Sequence, residues 1–318
     1  MANAHEIHPP PSILWPHPIL IAGPTATGKS EVALRLAEII GGEIISVDSM
    51  QVYRGLDIGT AKPSAADRVR IPHHLIDVVE FSEPFDAARF VVLARRAVRE
   101  IQSRGRVPIL CGGTGLYFKA FLDGLGDAPP ADAALRSELE AMPLETLLRE
   151  LSERDSATFE TIDRKNPRRV IRAVEVIRLT GHPFSEQRSE WDQAPRTTNH
   201  AFGITRAPED LRRRIDTRVE EMFQRGLVEE TSCLLERGLA QNRTALQAIG
   251  YRQVAEHLRG ERSLDETIQL VKSRTRQFAK RQLTWFRKHA QLTWIEIASA
   301  DSAAEVVERI GAAGGVEA

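Results

Sequence analysis

Gly23-Pro24-Thr25-Ala26-Thr27-Gly28-Lys29-Ser30 decides the fold. The octet fits the pattern G-x-x-x-x-G-K-S/T without exception. Ahead of it the apolar run Ile19-Leu20-Ile21-Ala22 reads as a buried strand. Behind it, Glu31 to Ile40 places Val32, Leu36 and Ile39-Ile40 on one side of a helix. In that context the glycines let backbone N–H groups curl around phosphate oxygens, and the helix N-terminus adds positive potential. Lys29 adds a point charge, and the Ser30 hydroxyl is of the type that ligates Mg²⁺. The motif predicts a phosphate site; it does not say that the phosphates belong to ATP.

Outward from the octet, strands alternate with helices. Gly41-Gly42 ends the first helix, Glu43 to Val47 reads as a second strand, and Val107 to Cys111 as a third, closed by Gly112-Gly113. Such alternation predicts an α/β fold, a P-loop NTPase-like core whose parallel sheet is flanked by helices. After Gly126 the texture changes. Pro129-Pro130 opens a charged, helical stretch that closes at Gln193 to Asn199, and Phe202-Gly203-Ile204-Thr205 returns as a strand. The division expected is a core of 19–127 and 200–318 with an all-helical insertion at 128–199. Long helices run to about His289, followed by a strand at Leu292 to Ile297 and a closing helix. Met1 to Pro18, with five prolines and no Lys or Arg, reads as a flexible tail without the features of a secretory or transit segment.

Composition narrows the classes. The 318 residues are 42% hydrophobic and 27% charged, which excludes a wholly disordered or collagen-like chain. No apolar stretch is long enough to span a bilayer. Cys111 and Cys233 are too few for a disulfide framework and read as reduced thiols, so the location expected is cytoplasmic. The net charge of -1 argues against a nucleic-acid partner until its distribution is considered. Arg164 to Arg172 holds five cations and no acid; Val271 to Ala290 holds seven and no acid. Without them, 31 Lys and Arg stand against 44 acids. The balance is thus the sum of an acidic body and basic patches. The second run lies on a helix opened by the capping box Ser263-x-x-Glu266. Its spacing predicts that Ile268, Val271, Thr275, Phe278, Gln282 and Trp285 face the core.

Two further strand ends carry candidate chemistry. Ligands of open α/β sheets bind beyond the carboxyl ends of the strands. Asp48, after the second strand, either faces that crevice or caps a turn. Gly112-Gly113-Thr114-Gly115 ends the third strand and points the Thr114 hydroxyl the same way. A nucleotide hydrolase would instead place a Mg²⁺-ordering Asp after an apolar strand, and Leu75-Ile76-Asp77 matches that only weakly.

The motifs then line up in order: the octet, Ile45-Ser46-Val47-Asp48-Ser49-Met50-Gln51-Val52-Tyr53, Asp57 to Pro63, Pro72-His73-His74, Gly112 to Tyr117, Asn166-Pro167-Arg168-Arg169 with Arg172, Gly250-Tyr251-Arg252-Gln253, and Thr275 to Gln282. From about Ile19 to Trp294 the chain resembles the tRNA dimethylallyltransferases, or tRNA isopentenyltransferases. The resemblance implies transfer of a dimethylallyl group from dimethylallyl diphosphate to N6 of adenosine 37, beside the anticodon, in tRNAs reading codons that begin with U. It implies that Gly23 to Ser30 hold the donor diphosphate, with Thr25 and Thr27 adding hydroxyls, Ser30 the Mg²⁺, and Arg218 standing by. It implies that Asp48 is the general base, with Lys29 and Thr114 also catalytic. It assigns tRNA contacts to Asp48, Ser49, Met50, Gln51, Thr114, Arg136, Arg168, Arg169, Val170, Ile171, Arg172, Gln247, Ala248, Ile249, Gly250, Tyr251 and Arg252. The partners implied are a tRNA anticodon stem-loop and dimethylallyl diphosphate, with no membrane and a monomeric protein. Competing readings are a P-loop small-molecule kinase or NTPase, a prenyltransferase acting on free adenine nucleotides, and a non-catalytic RNA-binding module.

Overall fold

The computed structural model of the chain describes residues 17–126, 128–187, 200–242 and 244–314. Most of the expected N-terminal tail and the expected exit at 193–199 lie outside the described residues. Among the described residues one sheet has six strands: β1 (Ile19–Ala22), β2 (Gly42–Val47), β3 (His73–His74), β4 (Val107–Gly112), β5 (Ala201–Arg206) and β6 (Thr293–Ile297). Their order is β3-β2-β4-β1-β5-β6, and every pair is parallel. Five of the strands stand where the apolar runs placed them. The two-residue β3 carries no hydrophobic signal, and its His-His sequence gave no reason to expect pairing with Ile44 and Ile45.

All four residues of β1 are buried, as a central parallel strand covered on both faces requires. The helix Lys29–Ile40 lays Val32, Ala33, Leu36 and Ala37 on Ile19, Ile21, Ile44 and Ile109, and the closing helix Ala303–Ala313 adds Val306, Val307 and Ile310. Ile39, read as part of the apolar side, is exposed. Ala33 and Ala37 take that side's place because their small side chains let the helix approach the sheet closely. Gly41, at φ 67°, ends the helix by donating to the Ala37 carbonyl. Gly42 is the first residue of β2, where a Cβ would lie 2.9 Å from the Ile109 side chain.

The chain forms two compact units, 1–121 with 197–318, and 122–196. In the smaller one the helices Ala133–Ala141, Leu144–Arg154, Ser156–Thr161, Pro167–Thr180 and Phe184–Gln187 enclose their own core of Leu139, Leu147, Leu151, Val170, Val174 and Ile177. Asn166 caps the longest of these helices by accepting from the Arg169 N–H, with Pro167 at its first turn. No helix among the described residues is long and apolar enough to cross a membrane.

Candidate active site

In the larger unit, a cavity of about 900 Å³ opens beyond the carboxyl ends of β1, β2 and β4. The strand order places it at the switch point, where the chain has gone from β1 to one side of the sheet for β2 and later to the other for β5. Thr25, Ala26, Gly28, Lys29 and Ser30 line it from the first loop; Asp48, Ser49, Met50 and Gln51 from the second; Gly113 and Thr114 from the third.

The first loop is held in an anion-binding shape. Gly28 sits at φ 96° ahead of the helix Lys29–Ile40, and no side chain caps that helix. Its first amides therefore stay available to an anion. Gly23 runs so close to β5 that a Cβ would lie 2.4 Å from the Ile204 carbonyl oxygen. The Pro24 carbonyl accepts from the Thr27 hydroxyl and from Lys29 Nζ, both at 3.0 Å. Thr27 is wholly buried and does not line the cavity. This corrects the expectation of a Thr27 hydroxyl contact to the diphosphate: that hydroxyl shapes the loop from behind, as do Gly23 and Pro24. Burial among protein atoms pushes the Lys29 ammonium below its ordinary pKa; nearby Arg218 acts in the same direction, while Cys111 and Asp48 oppose it. A bound anion would reverse that penalty. Burial pushes the Cys111 thiol up to about 11, so it remains a protonated packing residue.

Three arginines brace three successive loop residues. Arg206 Nε donates to the Thr27 carbonyl at 2.8 Å, Arg214 Nε to the Ala26 carbonyl at 3.0 Å, and Arg218 Nη1 reaches Thr25 Oγ1 at 3.5 Å. Arg214 and Arg218 share one face of the helix Pro208–Gln224, and the adjoining stripe, Ile215 and Val219, packs on Ala26. Burial, with Arg214 alongside, lowers the pKa of Arg218. Crowding two cations is unfavourable without an anion between them. The i, i+4 spacing was the available sequence signal for Arg214, and it was missed.

Asp48 performs both roles between which sequence position could not choose. Its Oδ1 accepts from the Met50 and Gln51 N–H groups at 2.8 and 3.3 Å, capping the turn. Among the described residues nothing donates to Oδ2, and the half-buried side chain lines the cavity. Thr114 steadies the same turn: its Oγ1 accepts from the Ser49 N–H at 3.1 Å. The Gln51 side chain is engaged by Ser46 and by the Thr60 and Ala61 carbonyls, so it holds the cavity wall.

That wall, Gly59 to Ser64, hangs on a buried cation. Lys62 Nζ donates to the Tyr53 carbonyl at 2.6 Å and pairs with Asp57 at 2.7 Å and Asp77 at 2.5 Å. Asp77 also takes Arg68 at 2.7 Å. Asp77 is thus a structural anion and does not line the cavity, which removes the weak candidate for a Mg²⁺-ordering Asp. Lys62→Met is expected to cost about 2 kcal/mol, because it removes the buried donor to the Tyr53 carbonyl together with the cation shared by Asp57 and Asp77. Denaturant unfolding checks this; a loss within error of zero would show that the wall does not depend on Lys62.

The tRNA-contact candidates divide. Gln247, Ala248 and Ile249 line the cavity. Gly250 and Tyr251 do not: Tyr251 is fully buried, donates to Glu230 at 2.5 Å and accepts from the Gly59 N–H at 3.0 Å. Its role is to pin the wall. Arg252 is exposed and pairs with Glu256. In the smaller unit Arg168 and Arg169 are exposed. Val170 and Ile171 are buried in that unit's core, so their side chains cannot meet RNA. Arg136 and Arg172 converge on the fully buried Glu175 at 2.6 and 2.7 Å. A buried carboxylate needs such partners; Arg172 lies three residues before Glu175 on the same helix, whereas Arg136 comes from another helix.

The long helix Leu264–His289 also departs from its predicted face. Thr267, Val271, Lys272, Ala279, Gln282 and Phe286 are buried, whereas Phe278 is 38% exposed at the cavity with Arg281 over its ring. Lys272 and Arg276 pair with Glu220 and Asp216. Arg274, Lys280, Arg281, Arg287 and Lys288 are exposed and without an acid partner among the described residues.

The family model described as IPP transferase matches residues 51–289. The chain is 48% identical over 281 residues to tRNA dimethylallyltransferase 1 of Citrifermentans bemidjiense, covering 87% of this chain and 91% of that one. It is 46% identical over 283 residues to tRNA dimethylallyltransferase of Desulforudis audaxviator, covering 88% and 91%. Among solved structures it is similar to the full-length tRNA isopentenylpyrophosphate transferase of Bacillus halodurans, with TM-score 0.67, 41% identity and coverage of 93% and 96%. It is also similar to a eukaryotic dimethylallyltransferase acting on tRNA, with TM-score 0.77, 27% identity and coverage of 94% and 80%. A glycine-rich loop of anion-binding shape, a strand-end carboxylate on the same cavity, and a match over most of the chain agree: the chain belongs to the IPP transferase family.

Proposed function

We propose that this protein transfers a dimethylallyl group from dimethylallyl diphosphate to N6 of adenosine 37 in tRNAs reading codons that begin with U. The observation that carries the reading is that one cavity is lined by the anion-binding loop and by a carboxylate with an oxygen to which no described residue donates. The names of the relatives, and the structure of one acting on tRNA, support the acceptor.

In this reading the loop amides, Lys29 and Arg218 hold the diphosphate and stabilise the charge that develops as the allylic carbon–oxygen bond breaks. The leaving group is diphosphate; the new bond joins the allylic carbon to N6, and the N6 proton goes to Asp48 Oδ2. A Mg²⁺ ion fits this chemistry. Ser30 lies on the cavity, and Mg²⁺ takes few protein oxygens when substrate phosphates complete its shell. Ser30 would hold it, and when bound it would neutralise part of the diphosphate charge. A stacked base cannot reach such a cavity, so the adenosine enters flipped. The exposed cations of the long helix meet tRNA phosphates. We place the protein in the cytoplasm as a monomer.

A kinase reading has no support from Asp77, which is engaged by Lys62 and Arg68. Labelled dimethylallyl diphosphate offered with bulk tRNA, AMP or ATP tests the proposal. Label is expected in tRNA alone; label in a free nucleotide points to the nucleotide prenyltransferase. Raising salt from 50 to 200 mM is expected to weaken tRNA binding at least ~10-fold, as release of counterions from several phosphate contacts requires. A flat salt dependence would leave the exposed cations without this role.

A further inference from the structure

We propose that Gln282 is a positioning residue that couples the diphosphate cradle to the turn carrying Asp48. Its side chain, 8% exposed on the helix Leu264–His289, lies between the two loops. Oε1 accepts from the Thr25 N–H at 2.9 Å, and Nε2 donates to the Gly113 carbonyl at 2.9 Å. Each contact leads to the reaction. Thr25 presents its hydroxyl to Arg218 on the donor side. From Gly113 the chain passes to Thr114, whose N–H donates to the Val47 carbonyl at 3.2 Å and whose Oγ1 accepts from Ser49 at 3.1 Å. Those two contacts bracket Asp48. One amide therefore joins the loop that holds the leaving group to the turn that presents the carboxylate, across chain separations of 257 and 169 residues.

The surroundings are built for this approach. A Cβ on Gly113 would lie 2.3 Å from Gln282 Nε2, and one on Gly115 would lie 2.1 Å from the Trp285 ring. The glycines after β4 thus admit the long helix. Only a side chain with a donor and an acceptor on one planar end suits both partners. Glutamate would set an oxygen against the Gly113 carbonyl and bring negative charge to the anion cradle. Methionine would keep the length and make neither bond. Because transfer needs the leaving oxygen, the allylic carbon and N6 in line, with the carboxylate within reach of the N6 proton, a shift of 1 Å between the loops costs on the order of 10²-fold in rate.

This inference rests on the prenyl-transfer reading. The test compares full-length wild type, Gln282→Met and Gln282→Glu by steady-state transfer from labelled dimethylallyl diphosphate to tRNA, at a temperature where circular dichroism shows each folded. Gln282→Met is expected to lower kcat at least ~10-fold with KM for tRNA nearly unchanged. Gln282→Glu, which keeps the Thr25 bond and carries the test if the Met variant does not fold, is expected also to raise KM for the donor. In an Asp48→Asn background Gln282→Met should cost less than about 3-fold, because positioned partners are not additive. Wild-type kcat in a folded variant, or full additivity with Asp48→Asn, overturns the role. An inactive wild type overturns the prenyl-transfer reading and, with it, this one.

Discussion

Asp48→Asn is expected to lower the turnover of prenyl transfer by ~10²-fold or more while leaving the fold and the binding of dimethylallyl diphosphate intact. Asparagine keeps the acceptor that Oδ1 offers to the Met50 and Gln51 N–H groups, so the turn remains capped. On the proposed reading, what it removes is the capacity to take the N6 proton. Alanine removes both and is the informative contrast. Asp48→Ala should also lower turnover ~10²-fold or more, with donor binding barely changed. It should in addition cost about 1 kcal/mol of stability through the lost cap. If Asn retained near-wild-type turnover at saturating substrates, Asp48 would be reduced to a turn cap.

Lys29→Met is the second large effect. The ammonium lies against the Pro24 carbonyl at 3.0 Å, buried enough to be pushed below its usual pKa, with Arg218 near. On the proposed reading, a diphosphate in the loop supplies an anion close to this cation, and its charge rises as the carbon–oxygen bond breaks. Loss of one donor aimed at developing charge costs roughly 10²–10³-fold in rate. The expectation is therefore a fall of that size in kcat/KM for dimethylallyl diphosphate, with tRNA affinity unaltered. Steady-state kinetics with each substrate varied separates the two. A defect in tRNA binding alone would place Lys29 outside the donor site.

The sheet was legible because buried parallel strands announce themselves as short apolar runs, and Ile19–Ala22, Ile44–Val47 and Ile109–Cys111 are such runs. The shape of the first loop was legible because close approach to Ile204 demands glycine at position 23, and a left-handed backbone favours it at position 28, whatever the ligand. His73–His74 was not, because a two-residue edge strand pairs through its backbone and needs no apolar side chain. The face of the long helix differs from the expected one at Phe278, and it buries Phe286, which the spacing did not pick out, for a physical reason: exposed aromatic residues and buried polar ones occupy the same spacing when a helix lines a cavity. Gln282 was placed on the buried side, yet its two bonds involve Thr25 and Gly113, far away in the chain. Likewise, the resemblance offers Arg136 only as a tRNA contact, because Glu175, 39 residues further on, meets it only after the smaller unit has folded; the Arg172–Glu175 pair, three residues apart on one helix, is local and could be read. Local chemistry survives in sequence; a partner brought from a distance does not.

The most direct measurement uses two anticodon stem-loops that differ at position 37, one with adenosine and one with inosine, which has no exocyclic N6 amine. Each is incubated with labelled dimethylallyl diphosphate and digested to nucleosides for mass spectrometry. Transfer to N6 predicts one labelled nucleoside, adenosine bearing a dimethylallyl group, from the first RNA and none from the second. Equal label in both, or label at another nucleoside, would contradict it.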